Sequence, residues 1–390
     1  MKNSRKPLNN DPESTSAADM FRALEFAHYA ERFRDKIFVI GIAAETPFQN
    51  LLLDLKVLAG YGIQVALVLP DPAIQMESLI VQSNKRGTRF HLSMLTDVLF
   101  QSTGQPLNLD FGRIQAVLGK GKTPVIAFHT DLPDTGELSH TFLLAGEVAL
   151  RLKADKLFLA GAGLEPLIGP YAGSHVLASE MDELQQRLPA GDARAYAALF
   201  GFIQEQLARG IPDIVLIEDK SSHLFREVFT HDGAGILFNQ VERSRVRQAQ
   251  TRDVTDIGLL LKGEIEEGRL LPVDENEIES EVAAYWVYEI DGLLVGTARL
   301  KDYGKFAELA QFATLPRYRG RGRARELAQR LLEEAAERKI KSLFALSTDK
   351  RMWRFFQSLG FTEVERSKLP QEWRDRYDMT RPSRSFLMEL

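Results

Sequence analysis

The sequence predicts an α/β protein of two domains, and three observations lead there. The chain has 390 residues, more than one core of ordinary size uses. Up to about residue 240, short apolar runs with little polar alternation are separated by helical patterns. That rhythm predicts a mostly parallel sheet covered on both faces. Near residue 240 the pattern changes to a smaller unit with a hairpin, an arginine-rich loop and a mixed order of strands and helices.

The elements follow in order. Residues 1–18 read as a disordered tail, rich in Asn, Ser, Pro and charge. "AADMFRALEFAHYAERFRD" has helical spacing at Phe21, Leu24, Phe26 and Phe33. "KIFVIGIA" is a buried-strand run, "FQNLLLDLKVLAGYG" a helix ending at Gly60 or Gly62, and "IQVALVLP" a second strand. The same alternation returns in "RIQAVLGKGKTPVIAFHT", "TFLLAGEVALRLKADKLFLAGAG" and "YAALFGFIQEQLARGIPDIVLIE". The domain over 19–240 ends there. The domain over 241–390 opens with a strand, then Thr251 as a helix N-cap candidate before "RDVTDIGLLLKGEIEEG". "AAYWVYEIDGLLVGTARL" is a hairpin turning at Asp291–Gly292. "KFAELAQFATL" is a strand. The arginine loop, its helix, the strand "KSLFALST", the helix "MWRFFQSLG" and a last strand "SRSFLMEL" complete the chain.

Composition excludes several classes. Hydrophobic residues make up 44% and charged residues 26%, as in soluble globular proteins that bury a core. The net charge is −5, so the arginines at 317–325 are a local cluster on an acidic background, which disfavours a nucleic-acid partner. Cysteine is absent, which removes disulfides and thiolate metal sites and makes a reducing cytoplasm the expected location. The polar N-terminus carries no secretory h-region, and no apolar run approaches the roughly 20 residues of a membrane span. No metal and no membrane partner is expected.

In "ATLPRYRGRGRARELAQRLLEEAAE", arginine occupies every second position from Arg317 to Arg325, with Gly320 and Gly322 among them. A helical pattern starts at once with Leu327, Leu331, Leu332 and Ala335. A helix N-terminus carries unpaired N–H groups and partial positive charge, and glycine lets a ligand approach the backbone. Together they make an anion site. The alternative is a solvated basic face around a helix start. The loop has no Gly-Lys-Ser/Thr of a Walker motif, and its glycine pair is too short for a dinucleotide fingerprint.

The spacing Arg319-x-x-Gly322-x-Ala324 fits the signature Gln/Arg-x-x-Gly-x-Gly/Ala of the GNAT acetyltransferases. From "SSHLFREVFTHDGAGILF" to the C-terminus the chain resembles the bacterial N-acetylglutamate synthases. The pieces that carry the resemblance are "VFTHDGAGILF", "RQAQTRDVTDIGLLL", "AELAQFATLPRYRGRGRARELAQRLLE", "KSLFALST", "WRFFQSLGF", "KLPQEWRDRYD" and "RPSRSFLMEL", in the family's order. Upstream, residues 19–240 are similar to the amino-acid-kinase domain of that family, in more diverged form. Kinases of that fold carry Lys-x-Gly-Gly after the first strand, where this chain reads "VIGIAAE" (Val39–Glu45). They have a glycine-rich turn after the second strand, where it reads "VLPDPAIQ". The resemblance therefore implies a non-catalytic, kinase-like three-layer αβα domain that binds L-arginine as effector and builds a homo-oligomer, followed by a GNAT α+β domain with a mixed sheet.

The resemblance also implies roles. Acetyl-CoA is the co-substrate, with its phosphates on Arg319, Gly320, Arg321, Gly322, Arg323 and Ala324. Its pantetheine arm runs beside Gln311, Phe312, Ala313 and Thr314, and a backbone N–H near Gln311–Phe312 faces the thioester carbonyl. Glu308 matches a carboxylate that draws a proton off the amine; the alternative is a surface strand residue. The helix "RMWRFFQSLGF" has phenylalanine where many GNAT enzymes place an acidic tyrosine, so Ser347 is the hydroxyl nearest the leaving thiolate. Trp353 and Phe356 read as core. L-Glutamate carries two carboxylates and needs cations, best a bidentate arginine. Arg381, Ser383 and Leu346 match substrate contacts, and Arg374 is a further candidate. Family members carry a basic pair near "EEGRLLPV", where this chain has Pro272–Val273 with Arg269 upstream, which leaves the second carboxylate contact unassigned.

Three readings follow from this: transfer of acetyl to glutamate, a GNAT enzyme acting on another amino acid or small amine, and a regulatory protein that senses an amino acid and only holds coenzyme A.

Overall fold

The computed structural model describes residues 17–43, 49–70, 92–100, 106–107, 109–129, 138–161, 163–230, 232–241, 244–290 and 292–390. The chain folds as two compact units, one ending at Gln240 and the other Val241–Leu390.

The first unit holds a nine-stranded sheet. Its strands are β1 (Ile37–Ile42), β2 (Gln64–Pro70), β3 (Leu92–Phe100), β4 (Pro106–Leu107), β5 (Thr123–His129), β6 (Lys156–Ala160), β7 (Ser174–Leu177), β8 (Asp213–Ile217) and β9 (Ile236–Asn239). They lie in the order β4-β3-β5-β2-β1-β6-β8-β9-β7. Every neighbour pair is parallel except β3 with β4 and β8 with β9.

The lack of polar alternation in β1 has a direct cause, because both its faces are covered. Val39 joins a core with Ala145 and Val148 of the helix His140–Leu152 and Ile203 of the helix Ala197–Ala208. Phe38, on the opposite face, meets Phe33 and Phe158 with ring centroids 5.4 and 5.5 Å apart. Phe26 stacks with Phe225 at 5.6 Å and tilts against Phe229 at 4.7 Å, which brings the helices Ala17–Arg32 and His223–Phe229 together on that side. The result is the expected three-layer, mainly parallel arrangement. Gly41 permits it, since a Cβ there would lie 2.8 Å from the Ala145 Cβ.

The second unit has a seven-stranded mixed sheet. Its strands are β10 (Ser244–Gln248), β11 (Tyr285–Ile290), β12 (Leu293–Tyr303), β13 (Phe306–Thr314), β14 (Ser342–Ser347), β15 (Thr362–Val364) and β16 (Arg384–Glu389), in the order β10-β11-β12-β13-β14-β16-β15. Only β13 and β14 pair parallel, and their register stops at Glu308↔Phe344 although both strands continue. Beyond that point they splay. β12 and β13 shift register between Arg299↔Ala310 and Thr297↔Ala313, so Gln311 and Phe312 bulge out of the ladder; Gln311 takes φ 52°. The helix Arg323–Glu337 packs Leu327, Leu331 and Ala335 into the core beneath.

Several expectations change here. The tail read over 1–18 lies outside the described residues apart from Ala17 and Ala18, which open the first helix. Ala44, Glu45 and the residues after Pro70, where kinase glycines are missing, also lie outside them, as does Asp291 of the hairpin turn. Thr251 is not the cap of the helix Val254–Glu266. It opens a short 3-10 turn, and the Asp253 carboxylate closes the turn by accepting from the Gln250 N–H at 2.8 Å. Aspartate wins because Arg247 holds its two oxygens, at 2.6 and 2.9 Å.

Candidate active site

Two clefts meet where β13 and β14 splay. The larger, of about 380 Å³, runs along Leu309–Thr314 to the loop at Arg319–Arg325. The smaller, of about 100 Å³, is lined by Glu308, Arg299, Leu346, Ser347, Arg381 and Ser383 among others. Ala310, Gln311, Leu346 and Ser347 line both. The pairing of β13 with β14 stops at Glu308↔Phe344 and β13 bulges at Gln311–Phe312 just beyond, so the cleft lies where the ladder ends.

The loop is shaped by two glycines in the left-handed region, Gly320 at φ 84° and Gly322 at φ 77°. Gly322 precedes the helix Arg323–Glu337, whose first N–H groups have no carbonyl one turn earlier. Three of the arginines brace this shape. Arg319 donates to the Thr314 carbonyl and to Glu264, both at 2.8 Å. Arg323 is buried and donates to the Tyr318 carbonyl at 2.7 Å. Arg325 reaches the Ser358 hydroxyl at 2.6 Å. Much of the arginine cluster therefore builds the loop, and the backbone at the helix start supplies the anion site. Gln311, Phe312, Ala313, Thr314, Arg319, Gly320, Gly322, Arg323 and Ala324 all line the cleft; Arg321 does not.

Sequence reasoning missed the aromatic wall. Phe312 meets Phe355 and Phe356 edge-on, with ring centroids 5.6 and 6.1 Å apart. Phe356 is a core residue, as expected, yet it also lines the cleft. Trp353 is half-buried, and its indole donates to the Ser347 carbonyl at 2.7 Å.

Glu308 is not a surface residue. It is 8% exposed, opposite Lys301 on β12 and Phe344 on β14. Trp373 Nε1 donates to its Oε1 at 3.3 Å, and Arg299 Nη2 lies 3.9 Å from its Oε2. Burial pushes the carboxyl above its ordinary range, with Arg299 and the Trp373 hydrogen bond pulling the other way. Tyr285 is pushed up to about 12 by burial, so it stays protonated and donates to Gln311 Oε1. Ser347 Oγ accepts from the Asp349 N–H at 3.0 Å, which leaves its own proton to donate into the clefts.

Arg381 Nη2 donates to the carbonyls of Gly268 and Arg269 at 3.2 and 3.1 Å, which aligns its guanidinium at the small cleft. Ser383 Oγ accepts from Arg366 at 3.0 Å and lies 2.8 Å from Tyr377 Oη. Arg366 also binds the carbonyls of Met379, Arg381 and Ser383 at 2.6–2.7 Å, clamping the loop that presents both residues. Arg374 lines neither cleft and bonds Gln371 instead. Its helix turns the neighbouring Trp373 inward, so Arg374 points elsewhere. Arg299 and Trp373 were missed, and Arg269, noted upstream of Pro272–Val273, had no assigned role. Arg299 did leave a signal, a charge inside the buried run of β12.

Among the described residues no cluster of His, Asp and Glu has the arrangement of a metal site, and no helix is long and apolar enough to cross a membrane. The profile of the Acetyltransferase (GNAT) family matches residues 256–361. An amino-acid acetyltransferase of Vibrio cholerae is 25% identical over 97% of this chain and 99% of its own length. One from Actinobacillus pleuropneumoniae serotype 3 is 28% identical over 93% of this chain and 96% of its own. The crystal structure of N-acetylglutamate synthase from Neisseria gonorrhoeae, complexed with coenzyme A and L-arginine, superposes with a TM-score of 0.57 at 19% identity, covering 96% of this chain and all of that one, and so shares the fold. The chain is an acyltransferase whose second unit is a GNAT acetyltransferase domain, and nearly end to end it resembles the amino-acid acetyltransferases.

Proposed function

We propose that this enzyme moves the acetyl group of acetyl-CoA to the α-amine of L-glutamate, making N-acetylglutamate, the first step of arginine synthesis. The observation that carries the reading is the meeting of the two clefts at Ser347, with Glu308 and Arg381 on the acceptor side and the glycine loop on the donor side. Coenzyme A phosphates rest on the start of the helix at Arg323, and the pantetheine arm lies in the splay. The bulged backbone at Gln311–Phe312 polarises the thioester carbonyl. Glu308 takes a proton from the ammonium. The amine nitrogen forms its bond to the acetyl carbon, the carbon–sulfur bond breaks, and the thiolate leaves against the Ser347 hydroxyl, which gives it a proton and takes in exchange the second proton shed by the nitrogen as it becomes an amide. Relatives named amino-acid acetyltransferases support the amino-acid acceptor.

The test is thiol release from acetyl-CoA across a panel of amino acids, with glutamate expected to be preferred. Arg381→Lys is expected to lower kcat/KM for glutamate roughly 10- to 100-fold, because a point charge replaces a planar fork worth about 1.5–3 kcal/mol. KM for acetyl-CoA stays unchanged, since the loop is untouched. Near-normal glutamate kinetics would reduce Arg381 to a strap on the Gly268–Arg269 carbonyls. Absence of thiol release with every amino acid tried would leave a regulatory protein that only holds coenzyme A.

The first unit, on the same reading, binds L-arginine and changes the rate of transfer. The turn at Asp232–Gly235 is held rigid by Glu227, whose Oε2 accepts from the N–H groups of Ala234 and Gly235 at 2.7 and 2.9 Å. Titrating L-arginine into the full chain is expected to release or absorb heat and to shift the initial rate. No heat and no rate change at millimolar arginine would show that the diverged unit has lost its effector.

A further inference from the structure

We propose that Arg299 receives the α-carboxylate of the acceptor, so that Glu308 and Arg299 together grip the ammonium and the carboxylate of a free α-amino acid. This assignment rests on the acetyl-transfer reading above and names the residue that makes the acceptor an amino acid instead of a plain amine.

Arg299 is 9% exposed and lines the small cleft. It stands on β12 opposite Ala310 of β13. Its Nη1 lies 3.2 Å from Glu281, and its guanidinium carbon sits 6.0 Å from the Tyr285 ring centre. The side with Nη2 faces Glu308 at 3.9 Å, beyond hydrogen-bond reach. Its Nε is buried and has no hydrogen-bond partner. A buried guanidinium with an unmet N–H is costly, and an incoming carboxylate oxygen is the group that satisfies it.

The charges nearby fit a zwitterion. Glu281 is shared between Arg299 and Lys301, Glu308 stands across the strand pair, and Glu277 lies at 3.9 Å from Arg299 on the solvent side. Two cations therefore face one buried acid, Glu308, one part-buried acid, Glu281, and one exposed acid, Glu277. An α-amino acid adds equal charge of both signs, with the ammonium at Glu308 and the carboxylate, two bonds away, at Arg299. An amine without a carboxylate would leave the Arg299 Nε–H unmet. Arg269, another cation of this cleft, is already neutralised by Glu264 and Glu267. The Arg381 guanidinium hydrogen-bonds the backbone carbonyls of Gly268 and Arg269, with the Asp378 charge nearby, and is left to face the side-chain carboxylate. Arg299 thus supplies the contact that Pro272–Val273 cannot.

The experiment compares L-glutamate, its α-amide and L-glutamine as acceptors for the unaltered enzyme, Arg299→Gln and Arg299→Lys. The unaltered enzyme is expected to reject the α-amide. In Arg299→Gln, kcat/KM for glutamate is expected to fall at least tenfold through KM, and the preference for glutamate over the α-amide to disappear, while the preference over glutamine survives. Coenzyme A affinity reports that the variant is folded. Should Arg299→Gln fail to fold, Arg299→Lys keeps the charge beside Glu281 and Glu308 and is expected to weaken the α-amide discrimination alone. Unchanged discrimination in a folded variant overturns the proposal, as does an unaltered enzyme that accepts the α-amide equally well. A uniform fall in kcat for all acceptors with a shifted acid limb also overturns it, because Arg299 would then act only through Glu308. An unaltered enzyme that acetylates no amino acid defeats the acetyl-transfer reading itself.

Discussion

Glu308→Gln is expected to lower kcat about 10²- to 10⁴-fold, the usual contribution of a positioned proton acceptor. The amide fills the same space and can still accept from Trp373, so acetyl-CoA binding and the melting temperature should remain near those of the parent. The pH dependence gives a second check. Burial raises the Glu308 carboxyl, and a base works only when deprotonated. Acceptor kcat/KM should therefore fall as pH drops through that raised value, with the acid limb above the ordinary carboxylate range. The limb should vanish in the glutamine variant. If the variant keeps its rate to within a few fold, Glu308 serves only to pair the buried Arg299.

Gly322→Val is expected to weaken coenzyme A binding by at least about 100-fold. A branched residue at φ 77° is strained by roughly 1–2 kcal/mol, and the strain is relieved by swinging the loop away from the geometry that binds phosphate. The added side chain also covers the N–H groups that would face the pyrophosphate. The fold is expected to survive, because a Cβ at Gly322 meets no atom within 4 Å. Calorimetric titration with coenzyme A beside a thermal melt separates the two effects. Unchanged affinity would move the phosphate site elsewhere.

Much of the chain was legible before folding. The three-layer unit follows from strands such as IFVIGI, whose unbroken apolar run allows only a sheet covered on both faces. The loop follows from two glycines ahead of an amphipathic helix. What misled was the reading of side chains one at a time. Arg319, Arg321 and Arg323 read as phosphate contacts, yet Arg323 is buried and donates to the Tyr318 carbonyl, and Arg319 is tied to Thr314 and Glu264. Arg374 seemed a substrate contact because of its residue type, and a single helical turn faces it away.

Local order in the sequence determined the periodicities, the capping glycines and the phosphate loop, because these depend on φ, ψ and spacing within a few residues. The acceptor site was decided only in three dimensions. Glu308 and Trp373 are 65 positions apart, and Arg381 and Gly268 are 113 apart. Arg299 reaches Glu308 because the register between β12 and β13 runs unbroken from Tyr303↔Phe306 to Arg299↔Ala310, short of the bulge at Gln311. Such meetings depend on which strands pair and where their pairing stops, and that is set by the packing of the whole sheet, where no short window of sequence can record it.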